Sequence, residues 1–145
     1  LHYYNKEKIV DKFNEIHRIL KPNGLFRLSL PDYRCDVLHN RTLKDDDGNT
    51  FFDPGGSGYY DYLNNNIVDG ILWFPKYEDI LNLLNKSKFN GSKINFLHYY
   101  DENNKPIMKN INYTNGFIKR TPDNDERVQN PVRPMSIVVD IYKNE

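Results

Sequence analysis

The fold is decided by residues 15–32, EIHRILKPNGLFRLSLPD. This stretch predicts the end of an amphipathic helix, a stop at Pro22, a short buried strand and a polar residue at the strand's carboxyl end. Upstream, apolar residues at positions 9, 13, 16 and 20 recur with helical spacing. Gly24 is expected to take the left-handed conformation that ends the helix. Ligands bind at the carboxyl ends of strands in open α/β sheets, and Asp32 occupies that position.

Three later segments carry clear secondary-structure patterns. Residues 76–86 predict a second helix, with Pro75 before its first turn. Residues 93–100 alternate as in a strand, with positions 94, 96, 98 and 100 on one side, and residues 136–142 form a β-branched strand. The segments 33–69 and 107–134 show no sustained period, so they are expected to be long irregular loops.

Composition restricts the class of protein. A chain of 145 residues is one domain at most, and its 20 basic and 20 acidic side chains give no net charge. We therefore expect no nucleic-acid partner. No apolar run approaches the length of a membrane span and no signal-peptide pattern is present, so neither membrane insertion nor secretion is expected. The single cysteine, Cys35, fits a reducing compartment, and the predicted location is cytoplasmic.

Several motifs resemble class I S-adenosylmethionine-dependent methyltransferases, most closely the bacterial type-11-like group of predicted methyltransferases. The helix end RILKPNG (18–24) and the strand exit LPD (30–32) are similar to the family's R-V-L-K-P-G-G and V-P-D segments. Four later segments resemble its glycine-rich insertion, its strand and turn, its G-x-I-x-R segment and its closing strand: DPGGSG (53–58), LHYYDEN (97–103), GFIKR (116–120) and SIVVD (136–140). The likeness covers most of the chain.

The resemblance implies an α/β fold that corresponds to the C-terminal half of a Rossmann-like methyltransferase sheet. Three strands would lie side by side, with the last one antiparallel in the middle, together with two main helices and long loops. In this family the cofactor lies on a glycine-rich turn after the first strand, and an acidic residue after the second strand binds the ribose. Neither element has a counterpart here. Residues 1–145 are therefore expected to be a single partial domain that lacks the N-terminal cofactor-binding half, with no cofactor-binding residue in this chain.

The resemblance also implies candidate site residues after the strand that ends at Pro31. In the family this position faces the methyl acceptor, so Asp32 is the candidate catalytic residue, as a base or as a group that orients the acceptor. Tyr33 and Arg34 are candidate substrate-binding residues. The alternative for Asp32 is that it ends the strand and caps a turn, and the sequence leaves both open.

Other motifs are weaker. Tyr59, Tyr60 and Trp73 are further candidates for an acceptor pocket, although packing within the core or a loop is the favoured alternative. Residues 55–58 lack the strand, helix and lysine of a phosphate loop, and residues 45–48 fail the ligand register of a calcium loop. The histidines have no ligand-like spacing, so no metal site is expected.

Two functions follow as hypotheses. The first is the acceptor-side portion of an S-adenosylmethionine-dependent methyltransferase that acts on a small molecule or glycan-like acceptor and is inactive as this chain alone. The second is a non-catalytic module. In either case the edge of the strand Leu25–Leu30 is expected to be exposed, and it would pair with a second copy or with the missing N-terminal half.

Overall fold

The computed structural model describes residue 2 and residues 4–144. The α-helices in this part of the chain are α1 (Lys6–Ile19), α2 (Asp36–His39) and α3 (Tyr77–Asn85). The strands are β1 (Leu25–Pro31), β2 (Leu43–Lys44), β3 (Thr50–Phe52), β4 (Tyr59–Asp61), β5 (Asn66–Val68), β6 (Lys93–Tyr100), β7 (Pro106–Met108) and β8 (Ser136–Tyr142). Short 3-10 turns occur at Tyr113–Asn115 and Glu126–Val128.

The main sheet has four strands in the order β1-β8-β6-β7, and every neighbouring pair is antiparallel. The strand β8, last along the chain, lies between β1 and β6, so those two run parallel to each other. This placement of the last strand agrees with the order expected from the sequence. The sequence does not predict β7, because three residues directly after a turn are too few to show a period. The fold is thus mixed α/β, with few helices on a four-stranded antiparallel sheet.

One face of the sheet is covered by α1 and α3, which contact each other. Ile9 and Phe13 of α1, and Ile80 and Leu84 of α3, are fully buried in the same apolar cluster as Val139 of the central strand. Burial of a side chain of this size contributes about 1.5–3 kcal/mol relative to exposure. The helical spacing in the sequence therefore identifies the side chains that hold this face together.

The turn between α1 and β1 differs in detail from the expectation. The left-handed residue is Asn23, with φ 62°, and not Gly24. Asparagine adopts this conformation more readily than most residues, because its short side chain can hydrogen-bond locally. Gly24 is required for space instead, since a Cβ at that position would lie 2.8 Å from the carbonyl oxygen of Lys21.

The opposite face of the sheet is covered by the irregular segment 109–134. Leu97 and Val138 of the sheet pack there against Ile111 and Ile118. Residues 109–134 are irregular apart from the two 3-10 turns, as expected, whereas residues 107 and 108 of the predicted loop belong to β7. The prediction of a long irregular loop over 33–69 is wrong, because that segment contains α2 and the hairpins β2–β3 and β4–β5. The apolar residues of 109–134 give the second face a small core of its own.

A buried ion pair also holds this second face. Arg27 and Asp140 are register partners on β1 and β8, and both of their N–O distances are 2.7 Å. Arg27 further donates to the carbonyl oxygens of Asn112 and Gly116 in the covering segment. These bonds connect the segment to the sheet, and the hydrogen bond with Asp140 is the main reason that the pKa of Arg27 is raised.

A bulge in β6 changes which side chains share a face. Strict alternation predicts that Ile94, Phe96, His98 and Tyr100 lie on one side of the strand. That expectation is wrong beyond Phe96, because the register shifts between Phe96 and His98, and His98 then lies opposite Val138 on the loop-covered side. An extra residue in one strand reverses the side-chain phase after it.

Candidate functional site

A cleft of ≈ 970 Å³ opens where the carboxyl ends of β1 and β6 face the amino end of α3. Its other wall comes from the insertion between β1 and α3, through residues 48–51 of the β2–β3 hairpin and residues 72–74. Because β1 and β6 run parallel to each other, their carboxyl ends meet at one edge of the sheet. Open α/β sheets bind ligands at this edge. The cleft is therefore the candidate functional site.

Asp32 lies behind the cleft wall and not in its lining. Its carboxylate is fully buried, and it accepts hydrogen bonds from the backbone N–H groups of Arg34, at 3.0 Å, and Tyr100, at 2.9 Å. Burial raises the pKa of Asp32 to about 6, although these two hydrogen bonds oppose the shift. The carboxylate thus ties the ends of β1 and β6 together and caps the turn after β1, which is the arrangement that the capping alternative describes.

Tyr33 lines the cleft and belongs to a buried polar cluster. Its hydroxyl donates to Asp53 at 2.6 Å, and Arg41 donates to the same carboxylate through two bonds of 2.9 and 2.8 Å. The backbone N–H of Gly55 supplies a fourth bond to Asp53. Burial alone would raise the pKa of Asp53, but the bonds from Arg41 and Tyr33 hold it below its usual value. We call these residues the Asp53 cluster; it fastens the insertion to the end of β1.

Arg34 also lines the cleft, where it forms an ion pair with Glu78 in the first turn of α3. The guanidinium donates to both carboxylate oxygens at 2.6 and 2.5 Å, and one nitrogen lies 3.4 Å from the carbonyl oxygen of Tyr100. The hydrogen bonds from Arg34 lower the pKa of Glu78. A bidentate guanidinium–carboxylate pair fixes both side chains, so this pair forms a rigid part of the cleft wall.

Trp73 is the most distinctive residue in the lining. Its ring is buried, its indole N–H has no hydrogen-bond partner among the described residues, and the ammonium group of Lys6 lies 5.3 Å from the ring centre. Lys6 in turn lies 3.8 Å from Asp79. A buried donor without an acceptor costs free energy, and an oxygen of a bound ligand is one group that would satisfy it.

Tyr59 and Tyr60 do not reach the cleft. Both lie on β4, whose hairpin with β5 forms a separate two-stranded sheet. The ring of Tyr60 packs against Phe51 and Tyr62, with both centroid distances at 4.9 Å, while Tyr59 is exposed. Neither ring lines the cleft. Of the five binding candidates, the structure therefore places three together in the cleft: Tyr33, Arg34 and Trp73.

Sequence reasoning missed several lining residues. The amino end of α3 contributes Lys76, Glu78 and Asp79, and the start of α1 contributes Lys6. One available signal was the position of Pro75, because a helix that begins before a strand of the same sheet directs its amino end toward the ligand-binding edge. The aromatic residue Phe51 of the insertion had no comparable signal.

The glycine-rich loop 55–58 is a packed connection in the structure. It leads into β4 and not into a helix, and Gly58 has φ 80°. A Cβ at Gly58 would overlap the carbonyl oxygen of Val68, and one at Gly56 would lie 2.7 Å from Ile71. The glycines therefore permit close approach of the β4–β5 hairpin.

The acidic turn at 45–48 is likewise explained by local structure. The carboxylate of Asp45 accepts hydrogen bonds from the backbone N–H groups of Asp47 and Asn49, at 3.0 and 2.9 Å. Among residue 2 and residues 4–144, no group of three or more His, Cys, Asp or Glu side chains is arranged to hold a metal ion. Nor does any helix in those residues have the length and apolar character needed to cross a bilayer.

Comparison of the chain with protein-family models, with curated proteins and with solved structures gives no match.

Proposed function

We propose that the chain is the acceptor-side portion of an S-adenosylmethionine-dependent methyltransferase, corresponding to the C-terminal half of a Rossmann-like methyltransferase sheet. The observation that carries the proposal is the position of β8, antiparallel between the parallel pair β1 and β6. The family resemblance implies this order for the last three strands of the domain. The RILKPNG motif precedes β1 and the LPD motif ends it, which supports the proposal.

The cleft is the proposed acceptor site. Its lining contains Arg34 paired with Glu78, and Lys6 close to Asp79, so its main charges balance within the protein. Trp73 adds an indole N–H and aromatic surface beside these polar groups. A small molecule or glycan-like acceptor with hydroxyl groups and no large net charge suits such a lining, because hydrogen bonds fix its orientation and apolar surface excludes water.

The role of Asp32 as a catalytic base remains a prediction. What favours a positioning role is its geometry, since the carboxylate is buried and both oxygens accept backbone N–H groups. In that role Asp32 holds the turn that presents Tyr33 and Arg34 to the cleft. Transfer to an aligned acceptor requires orientation before it requires a base.

The proposal assigns the cofactor to the parent family and not to this chain alone. S-adenosylmethionine supplies the methyl group in the parent family, and the described residues offer no glycine-rich turn between a strand and a helix to bind it. We therefore propose that this chain alone binds no cofactor and is inactive. A cytoplasmic location, inferred from the free and buried Cys35, is part of the same proposal.

Calorimetric titration with S-adenosylmethionine and its demethylated product tests this proposal. The 145-residue chain is compared with a longer product that includes whatever coding sequence lies upstream of Leu1 in the same reading frame. We expect micromolar binding and methyl transfer by the longer product only, and loss of transfer without loss of cofactor binding in its Trp73→Ala variant. Absence of cofactor binding by the longer product would contradict the proposal, as would transfer that Trp73→Ala leaves unchanged.

The second candidate is a non-catalytic module that self-associates or binds a partner through the edge of β1. Its support is that β1 is the terminal strand of the sheet, with only β8 paired to it in the described residues. The backbone N–H of Asp32 donates to the carbonyl oxygen of Met135. In an antiparallel pair only every second residue points its N–H and C=O groups at the partner strand, so those of Leu25, Arg27 and Ser29 point away from β8. Light scattering after size-exclusion chromatography tests it, and a monodisperse monomer at all concentrations would count against it.

A further inference from the structure

The hairpin of β4 and β5 presents apolar side chains at its tip. Leu63 is 94% exposed and Tyr62 is 67% exposed. The tip is held rigidly, because the carboxylate of Asp61 accepts bonds from the backbone N–H groups of Leu63 and Asn64, at 3.0 and 3.2 Å, and from the side-chain amide of Asn64 at 2.8 Å. Because the backbone of the tip is already ordered, holding it in place on binding costs little conformational entropy, and its exposed leucine and tyrosine side chains suit an anchor.

The segment that contains this tip carries charge of one sign. Residues 53–75 contain Asp53, Asp61 and Asp69 and no lysine or arginine. Asp53 is neutralised by Arg41 in the Asp53 cluster, and Asp69 follows β5 at the base of the hairpin, so Asp61 is the charged residue beside the apolar tip. The tip therefore complements an apolar pocket with a basic rim, and it lacks the basic residues that binding to an anionic membrane surface needs.

The chain itself contains such a pocket. A groove of ≈ 350 Å³ lies at the carboxyl end of β1, on the face that segment 109–134 covers, and its apolar lining includes Pro31, Phe117 and Ile118. Lys119 and Arg120, both exposed, lie on its rim. Phe117 is exposed at this groove although the side chain is fully apolar. An exposed apolar residue that borders a groove is a feature of interaction sites.

We propose that the hairpin tip of one copy, Tyr62 and Leu63, docks into this groove on a second copy. Leu63 packs against the apolar lining formed by Pro31 and Phe117, and Asp61 approaches the basic rim. This contact uses two different patches of the same chain, so it is head-to-tail and leaves one tip and one groove free at the ends of each assembly. It does not depend on methyl transfer, and it differs from edge-to-edge pairing of two β1 strands, which would use the same patch twice.

Head-to-tail docking allows a complementation experiment by analytical ultracentrifugation. Leu63→Ser removes the anchor and keeps the groove, whereas Lys119→Glu combined with Arg120→Glu reverses the rim and keeps the tip. We expect the unaltered chain to associate with increasing concentration, and more weakly at high salt. Each variant alone should associate at least about tenfold more weakly. An equimolar mixture of the two variants should form a species of two chains, because one intact tip meets one intact groove.

Ile19→Ser is the matched control, since Ile19 is also exposed, at 65%, and lies at the other end of the sheet beside the start of β1. It should associate as the unaltered chain does, and circular dichroism should show all variants folded. An unaltered chain that stays monomeric would overturn the proposal. So would undiminished association of either variant, which would indicate pairing through the β1 edge, or a mixture of the two variants that stays monomeric. None of these results depends on cofactor binding by the longer product. Failure of the docking proposal can therefore be told apart from failure of the proposed methyltransferase function.

Discussion

The helix-covered face of the sheet and the insertion of residues 33–75 are held together by different forces. On the helix face, Phe13 and Ile80 are buried among apolar side chains of β8. In the insertion, Asp53 gathers Arg41 and Tyr33 into a polar cluster, and short hairpins surround it. The first kind of contact is non-directional and proportional to area, whereas the second depends on individual bonds. A local change should therefore weaken the whole fold in the first region and release a single segment in the second.

The largest effect should come from the helix face. Phe13→Ala removes a fully buried ring, and we expect it to lower the free energy of unfolding by about 3–5 kcal/mol. Urea denaturation followed by circular dichroism measures the change. The exposed Ile19 of the same helix is the control, and Ile19→Ala should stay within about 0.5 kcal/mol. A loss below about 1 kcal/mol for Phe13→Ala would show that α1 does not pack as described.

The Asp53 cluster should show the local behaviour. Asp53→Asn leaves Arg41 without its carboxylate and weakens the bond from Tyr33, and we expect a cost of about 3 kcal/mol. Hydrogen exchange should increase throughout residues 41–72 and remain unchanged in α1. The control is Asp69→Asn, an exposed residue of the same insertion, which should leave exchange as it is. Equally faster hydrogen exchange in residues 41–72 and in α1 would contradict the claim that the Asp53 cluster holds only the insertion.

Stability against pH probes the contact between the two regions. The pKa of Asp32 is about 6 in the folded chain, and its ordinary value is 3.8. The folded state therefore binds more protons between these values, and the stabilisation that is present at low pH is lost as pH rises through 6. The pKa of His2 is lowered to about 4, so its contribution in the same window has the opposite sign.

The difference in the free energy of unfolding between the unaltered chain and Asp32→Asn reports the titration of Asp32 alone, because both chains contain His2 and its contribution cancels. The stability of the unaltered chain relative to Asp32→Asn should fall by about 2–3 kcal/mol between pH 4 and pH 7. Denaturation at four pH values across this window gives the slope. Two parallel curves would mean that Asp32 is not desolvated at the end of β1.

The smallest expected effect is the difference in stability cost between alanine substitutions at two glycines of the insertion. Gly48 has φ 81° with open space around it, and Gly58 has φ 80° with the carbonyl oxygen of Val68 against it. Alanine at position 48 should cost about 1 kcal/mol from backbone conformation alone. Alanine at position 58 should cost about 1–2 kcal/mol more, because the β4–β5 hairpin has to move. Thermal melts of the two variants measure the difference, and equal costs would contradict the close packing of that hairpin.

The sequence predicts the helix face well because the relevant signal is local. Residues 9, 13 and 16 repeat at helical spacing, and the compact run after Gly24 marks β1. The bulge at Phe96 and the left-handed Asn23 lie beyond this reasoning, since both depend on how neighbouring segments fit together. The expected order of the last three strands came from the resemblance and not from periodicity.

The candidate site is only partly predictable for the same reason. Tyr33 and Arg34 follow a strand whose end marks the ligand-binding edge, and position alone identifies them. Their partners Asp53 and Glu78 lie 20 and 44 residues away along the chain, where no period or motif connects them. Tyr60 was a candidate because aromatic residues line pockets, but composition does not say on which side of a short hairpin a ring will lie.

Amide exchange in dilute solution, followed residue by residue by NMR, tests the central claim most directly. That claim is the strand order, with β8 paired on both sides and β1 paired on one. We predict continuous protection along residues 137–142 and alternating protection in β1, slow at Phe26, Leu28 and Leu30 and fast at Arg27 and Ser29. Continuous protection along β1, or alternating protection along β8, would contradict this order and the proposed function that rests on it.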